Sequence, residues 1–304
     1  MESKQKKLKF RIIDIILLIL MILPLVAGMT LRVLTTPASD GIVISGARIY
    51  FTIPTPFQDL PITESQVNSW LVILSIFWLC LFFVHGIKEK PLTRRQYIAE
   101  WVVEKTEAMV KEYMGDYFGG FAPFIAAILL LSAFSSLMTL VGLYPPTSDL
   151  NVVAGWAIVV FILITYYKCK CGLLCYLKSY CDPVPLLAPL NVISEIATPI
   201  SMAFRHYGNI LSGTVISVLI TAGLQGLSSL VFGWLPFGIG KFPFLQIGLP
   251  AVLSLYFDIF SGCLQAFIFA MLTMLYVSGG FPQDEYEKRK VQRRLEREAK
   301  LARK

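Results

Sequence analysis

Six apolar runs of membrane-spanning character decide what this chain can fold into. They fall at roughly 12–30, 67–86, 121–143, 152–167, 190–222 and 246–278. The hydrocarbon core of a bilayer is about 30 Å thick, so a helix needs about 20 apolar residues to cross it. Composition points the same way: 56% of the 304 residues are apolar and only 15% are charged. A soluble domain of this length needs far more polar surface. The expected fold class is an all-α membrane protein with about six membrane helices.

The charge pattern sets orientation. The net charge of +7 is not spread as a nucleic-acid groove would need, and aromatic interleaving is missing. Lys4, Lys6, Lys7, Lys9 and Arg11 precede the first run, and Lys88, Lys90, Arg94 and Arg95 follow the second. Lys168, Lys170 and Lys178 follow the fourth, and Lys288, Arg289, Lys290, Arg293 and Arg294 follow the sixth. The intervening connections are poor in Lys and Arg. The positive-inside rule then places both termini in the cytoplasm of a multi-pass cell-membrane protein.

The segments between and beside the runs carry their own readings. The basic start, apolar run and Ala27–Gly28 also fit a cleaved signal peptide, but the run is long for one, and an uncleaved helix is expected. In 92–114, Ile98, Trp101, Val102 and Met109 lean to one side while Glu100, Glu104, Lys105 and Glu107 cover much of the rest. That pattern predicts an amphipathic helix on the cytoplasmic interface. Residues 223–245, with Gly233, Pro236, Gly238 and Gly240, read as a hairpin connection. The tail from Asp284 reads as a charged helix or a solvated basic end. Cys80 and Cys263 are expected as small packing residues. Cys169, Cys171, Cys175 and Cys181 share one loop, but without the paired spacing of a zinc knuckle, and reduced cytoplasmic thiols are the simpler reading. No metal and no cofactor are expected.

One residue dominates the chemistry. Arg205 lies inside the fifth apolar run, with His206 beside it. A charge at mid-bilayer costs about 3 kcal/mol on insertion scales, and a guanidinium stays charged at any working pH. Arg205 therefore needs a water-filled cavity or an anionic partner; snorkelling to an interface is the bland alternative. Arg205, Asn209 and Ser212 fall at i, i+4 and i+7 on one helix face, flanked by Gly208 and Gly213. Thr214 and Ser217 lie beyond it, and Glu195, Thr198 and Ser201 upstream, with Pro199 bending or starting the helix. The sixth run repeats the spacing in Ser254, Asp258, Ser261 and Gln265. Asp258 is a second intramembrane ionisable group, and carboxylates in low dielectric can exchange a proton near neutral pH. A static Arg205–Asp258 pair is the structural alternative. As one helix, 251–277 would be about 40 Å long, so it must tilt, break or protrude.

These residues carry a resemblance. SEIATPISMAFRHYGNILSG (194–213) resembles the fifth-helix signature of the F-type ATP synthase a subunit family, with its core Pro-x-Ser-x-x-x-Arg-x-x-Gly-Asn. LQAFIFAMLTMLYVSGG (264–280), PPTSDLNV (145–152) and FAPFIAAILLL (121–131) are similar to other stretches of that family, in the same order. The resemblance implies a membrane stator subunit of the F0 sector, not an enzyme by itself. Such a subunit forms two ion half-channels against a rotating c-ring and couples proton or sodium movement to ATP synthesis. It implies a long, tilted C-terminal helical hairpin. It also implies partners: c-ring subunits, peripheral-stalk b subunits, membrane lipid and, indirectly, the F1 catalytic head.

The same resemblance implies roles for single residues. Arg205 matches the arginine that faces the ring carboxylates, and Asn209 and Gln265 match polar positions at that interface. Asp258 and Thr214 stand where relatives hold cooperating polar groups, so Asp258 becomes the expected relay of one half-channel. Glu195 matches a glutamate ahead of the arginine, on the cytoplasmic-side path. Ser212 and Ser261 complete the expected translocation set. Thr214 cannot ionise, and His206 and Thr198 depart from the commoner choices. The chain then divides into a basic N-terminal segment with an extra membrane helix (1–34), an extracytoplasmic loop (35–66), the a-subunit membrane domain (67–280) and a basic tail (281–304).

Two other classes compete. A secondary transporter could bind an anionic substrate through Arg205, but it predicts an inverted repeat that the sequence lacks. A membrane enzyme would need a nucleophile–base set or a metal cluster, and the chain holds only two histidines.

Overall fold

Each apolar run becomes a helical segment, and three of the six segments reach beyond their run at both ends. The computed structural model describes residues 2–35, 46–56, 59–87, 94–170, 172, 176, 180, 186, 188–232, 248–281 and 291. Helix α1 (Glu2–Thr35) is followed by strands β1 (Ile49–Ile53) and β2 (Leu60–Thr63), then α2 (Glu64–Val84) and α3 (Arg94–Met114). A 3-10 turn, Asp116–Phe121, leads into α4 (Ala122–Leu137), which tightens into a second one at Met138–Val141. Helix α5 (Leu150–Cys169) opens on Asp149, whose carboxylate accepts the Asn151 backbone N–H at 3.0 Å, as an N-cap does. Helix α6 (Ala188–Phe232) is followed by α7 (Leu249–Ser254), a π-helical stretch (Leu255–Ser261) and α8 (Gly262–Gly279). Among the described residues, six helical segments are long and apolar enough to span a membrane. The protein is a multi-pass, all-α membrane protein, apart from one small hairpin.

Several boundaries differ from those read in the sequence. Helix α6 continues to Phe232, so 223–232 belongs to the helix rather than to the hairpin connection. Gly223 and Gly226 lower helix propensity there, but an apolar environment leaves the backbone no better partner than itself. The rest of that connection, 233–245, lies outside the described residues, as does the tail from Asp284 apart from position 291. At 45 residues α6 is about 68 Å long, twice the hydrocarbon core, and must tilt steeply or project from it. Pro199 neither starts the helix nor ends it; it lies buried inside. The 35–66 loop contains the antiparallel β1–β2 pair, with Phe51 opposite Ile62. The sixth run is not one uninterrupted α-helix, because Leu255–Ser261 is wound as a π-helix. Cys80 and Cys263 lie exposed rather than packed inside. Cys171, Cys175 and Cys181 lie outside the described residues.

The core explains why α8 is the central helix. Val110 and Met114 from α3, Ile125 from α4, Val160 and Ile164 from α5 and Met202 from α6 close around Phe269, Ala270, Met274 and Val277 of α8. On α3, the face carrying Gln96, Thr106, Val110 and Met114 is buried, while Ile98, Trp101 and Val102 stay exposed. That outer apolar strip suits a helix lying along the interface. In contrast, only six of the 45 residues of α6 are buried, against eight of the 18 in α8. Most of α6 is therefore surface offered to lipid or to another protein.

Helix α1 packs along α2 and is tied at both ends. Arg95 at the start of α3 pairs with Asp14 at 2.7 Å. Arg32 donates to the Gly142 carbonyl and lies 3.7 Å from the Glu64 carboxylate. Asp14 and Arg32 are about 27 Å apart along the helix, close to the thickness of a hydrocarbon core.

Close helix approach at α8 makes a specific demand. A Cβ on Gly262 would sit 2.6 Å from Ser136 Cβ of α4, whose side chain is itself buried. Gly262→Leu should therefore force α4 and α8 apart, at a cost of about 1–3 kcal/mol or more. A drop in the thermal midpoint of the purified protein checks this; an unchanged midpoint contradicts the packing.

Candidate functional site

The site begins with the way α6 divides its faces. Met202, Ala203, His206 and Gly213 point inward and are buried, whereas Ser201, Arg205 and Ser212 are exposed. Asn209 stands at the border, half-buried. Arg205 makes no ion pair and no hydrogen bond with any described residue. The static Arg205–Asp258 pair is thus not formed. It is a guanidinium within an apolar helix, exposed and without a counter-ion among the described residues, which is costly in a bilayer unless water or an acid meets it.

Asn209 joins α6 to the π-helical stretch. Its Nδ2 donates to Ser261 Oγ at 2.8 Å, and Ser261 Oγ lies 3.2 Å from Asn209 Oδ1. The helices approach closely here: a Cβ on Gly213 would lie 3.1 Å from the Phe257 ring. Gly208 has open space instead, so it leaves room for a partner rather than for the α7–α8 segment. Asp258 sits within the π-helical stretch, where Ser254 Oγ donates to its Oδ2. Such wider turns break the i→i−4 ladder and often mark working positions. Gln265, one segment further along, is buried in α8. Of the expected set, then, Asn209 and Ser261 touch, Asp258 and Ser254 touch, and Arg205 and Ser212 share the outer face. Thr214 Oγ1 bonds back to the Ile210 carbonyl at 2.9 Å and is exposed.

His206 does something the sequence did not announce. It is fully buried, with Phe269 and Trp156 edge-on at 5.6 and 6.1 Å and Ser132 Oγ at 3.4 Å from Nε2. One residue is about 100° of helix turn, so anchoring His206 inward turns Arg205 toward the outside. The adjacency of a ring and a charge was the available signal.

Glu195 lies well away, about 15 Å along α6 from Arg205. Lys168 Nζ of α5 is 3.1 Å from its Oε2, Tyr176 Oη donates to Oε1 at 3.2 Å, and Tyr180 Oη donates to Oε2. Lys168, Tyr180 and Glu195 border a cavity of about 450 Å³ between α5, α6 and the end of α8, with Thr198 and Tyr276 also on its wall. At the opposite end, sequence reading passed over a buried polar seam. Glu64, Ser65, Asn68 and Ser75 of α2 are all buried. Ser65 donates to Asp149, and Asn68 donates to the Tyr144 carbonyl at 2.8 Å. Ser132, Ser135 and Ser136 of α4 are buried as well, with Ser136 against Gly262. Spacings of three, four and seven residues along α2, and of three and four along α4, were the overlooked signal. Among the described residues, no group of three His, Cys, Asp or Glu side chains could hold a metal ion.

Comparison with known proteins places the chain among relatives of one family. A family model described as "ATP synthase A chain" matches residues 66–278. "ATP synthase subunit a" of Legionella pneumophila (strain Paris) is 30% identical over 230 residues, covering 74% of this chain and 90% of the relative. "ATP synthase subunit a" of Desulforamulus reducens is 35% identical over 221 residues, 71% of this chain and 78% of the relative. "ATP synthase subunit a, sodium ion specific" of Propionigenium modestum is 24% identical over 278 residues, 80% of this chain and 88% of the relative.

Proposed function

The chain belongs to the ATP synthase A chain family, the ion-translocating subunit of the F0 sector, and on that premise we propose that Arg205 works against the acids of a rotating c-ring. The observation that carries this reading is the exposed Arg205 guanidinium, which pairs with no described residue. Each ionised ring carboxylate is drawn to Arg205, gives up its hold when it is loaded from one half-channel, and passes on. The positive charge also bars an ion from crossing directly between the two half-channels.

Each half-channel has a route of its own. On the cytoplasmic side, ions leave through the cavity beside Glu195 and Thr198. On the other side, the buried seam from Glu64 through the α4 serines supports a path toward Ser261 and Asn209, with Asp258 as its relay. Ser212 and Thr214 line the neighbouring surface, and Gln265 stands buried behind it in α8. The translocated ion is a proton or a sodium ion, according to the ring site it meets.

Orientation and partners follow from the same reading. Both termini lie in the cytoplasm, and α1 is retained as a membrane helix, supported by its ties through Asp14 and Arg32. The peripheral-stalk b subunits hold the subunit still, and the F1 head makes ATP elsewhere, so no bond is formed or broken here. The family match favours this over a transporter that would use Arg205 for a soluble anion.

Cross-linking tests the reading. With the native cysteines replaced, a cysteine at position 212, on the Arg205 face, should form a disulfide with a cysteine near the ring carboxylate under mild oxidation. A cysteine at position 270, buried in the α8 core, should not. Absence of any ring adduct from the Arg205 face would sink the rotary reading.

A further inference from the structure

The donors around Glu195 are more numerous than an exit path needs. Three groups from two other elements converge on one carboxylate: the Lys168 ammonium from the end of α5 and the Tyr176 and Tyr180 phenols from the connection that follows it. Both carboxylate oxygens are engaged, and the Glu195 side chain is only 8% exposed although it lines the cavity. The arrangement is held from behind as well, because Asn191 Nδ2, one turn earlier on α6, donates to the Tyr180 carbonyl at 2.8 Å. The phenol rings pack on each other at 5.0 Å, with their oxygens in contact. Burial, and then the Glu195 carboxylate, push the Tyr180 phenol far above its ordinary range, so it stays protonated and remains a donor. Burial also raises Tyr176.

We propose that Lys168 and Tyr180 are positioning residues for ion transfer at the cytoplasmic mouth, fixing the Glu195 carboxylate toward the cavity in one orientation. This rests on the reading above that Glu195 lies on the cytoplasmic path. A glutamate on a helix surface samples several rotamers, and each costs transfer rate when the carboxylate points away. Charge-assisted bonds from a lysine and a phenol remove that freedom.

The test uses passive proton flux through F0 in membrane vesicles stripped of F1, driven by a fixed potassium diffusion potential. The amount of assembled complex is measured alongside. Tyr180→Phe and Lys168→Met should each lower flux by about tenfold, the worth of one hydrogen bond to a charged group. Lys168→Arg should retain most of it. Glu195→Gln should lower flux at least as far. Combining Glu195→Gln with either loss should then lower it no further, because both act through the same carboxylate.

The alternative outcomes separate the claims. Additive losses in the double variants would mean that Lys168 and Tyr180 act independently, and the positioning role fails. Unchanged flux in both single variants, with a loss in Glu195→Gln, also removes the positioning role but leaves Glu195 on the path. Normal flux in Glu195→Gln overturns the cytoplasmic path itself, and the positioning role with it. If Lys168→Met lowers assembly, Tyr180→Phe and its double variant with Glu195→Gln decide the matter alone.

Discussion

Replacing Arg205 with alanine should abolish ion-driven ATP synthesis while the F0 complex still assembles. The two halves of that expectation have separate causes. Assembly survives because the side chain is exposed and bonds to nothing among the described residues, so its loss opens no cavity and strands no buried partner. Substitutions of that kind usually change stability by less than about 0.5 kcal/mol. Removing a charge from an apolar span also relieves an insertion cost of about 3 kcal/mol. Function fails because nothing replaces the cation. No other Arg or Lys lies between Ala188 and Phe232 or between Leu249 and Gly279. A neighbouring acid would then lose its only nearby partner, and the barrier between the two half-channels would go with it. ATP synthesis by energised vesicles, set beside native-gel analysis of the complex, measures both halves. Synthesis at the normal rate with Arg205→Ala defeats the mechanism; loss of the complex defeats the claim that the residue is free of structural duty.

Much of this was legible in the chain, for identifiable reasons. Apolar runs bounded by charge are strong signals, and every one became a helix. The Arg205–Asn209–Ser212 face needed only the 3.6-residue period, and α6 keeps that period without interruption. The same rule worked less well for Ser254–Asp258–Ser261–Gln265. The π-helical turn re-phases that row, leaving Gln265 inside the core while Asp258 and Ser261 remain half-buried. A one-residue change in helical winding leaves no clear mark in composition. The contacts of His206 and Glu195 depend on residues far away in sequence, Ser132 and Trp156 in one case and Lys168 in the other. No local pattern encodes such pairings. The seam from Glu64 to Ser136 was hidden for another reason: serines in membrane helices usually bond back to their own backbone, so they draw little notice one at a time. Ser136 does this, accepting the usual local solution at 3.1 Å to the Ser132 carbonyl, and still lies against Gly262.

Asp258 sets up the second large effect. Asp258→Asn should slow ion transport by about a hundredfold, the lower end of what a positioned proton-transfer group contributes, while the complex assembles in normal amount. Asparagine has the same shape and can still accept from Ser254 through its carbonyl oxygen, so the local contact in the π-helical stretch persists. What disappears is the ability to take up and release a proton, and Thr214 cannot substitute because a hydroxyl does not ionise in the working range. The Asn209–Ser261 contact on the adjoining turn should be untouched, since neither of its members bonds to Asp258. Assembly and transport should therefore separate. A variant that loses both in proportion would mean that Asp258 serves the fold; one that pumps at the normal rate would mean that ions bypass it. Asp258→Glu supplies the control, because it restores an ionisable group at the cost of one extra methylene near Phe257. Partial recovery by glutamate, against none by asparagine, requires that the acid's chemistry and not its shape is what the path uses.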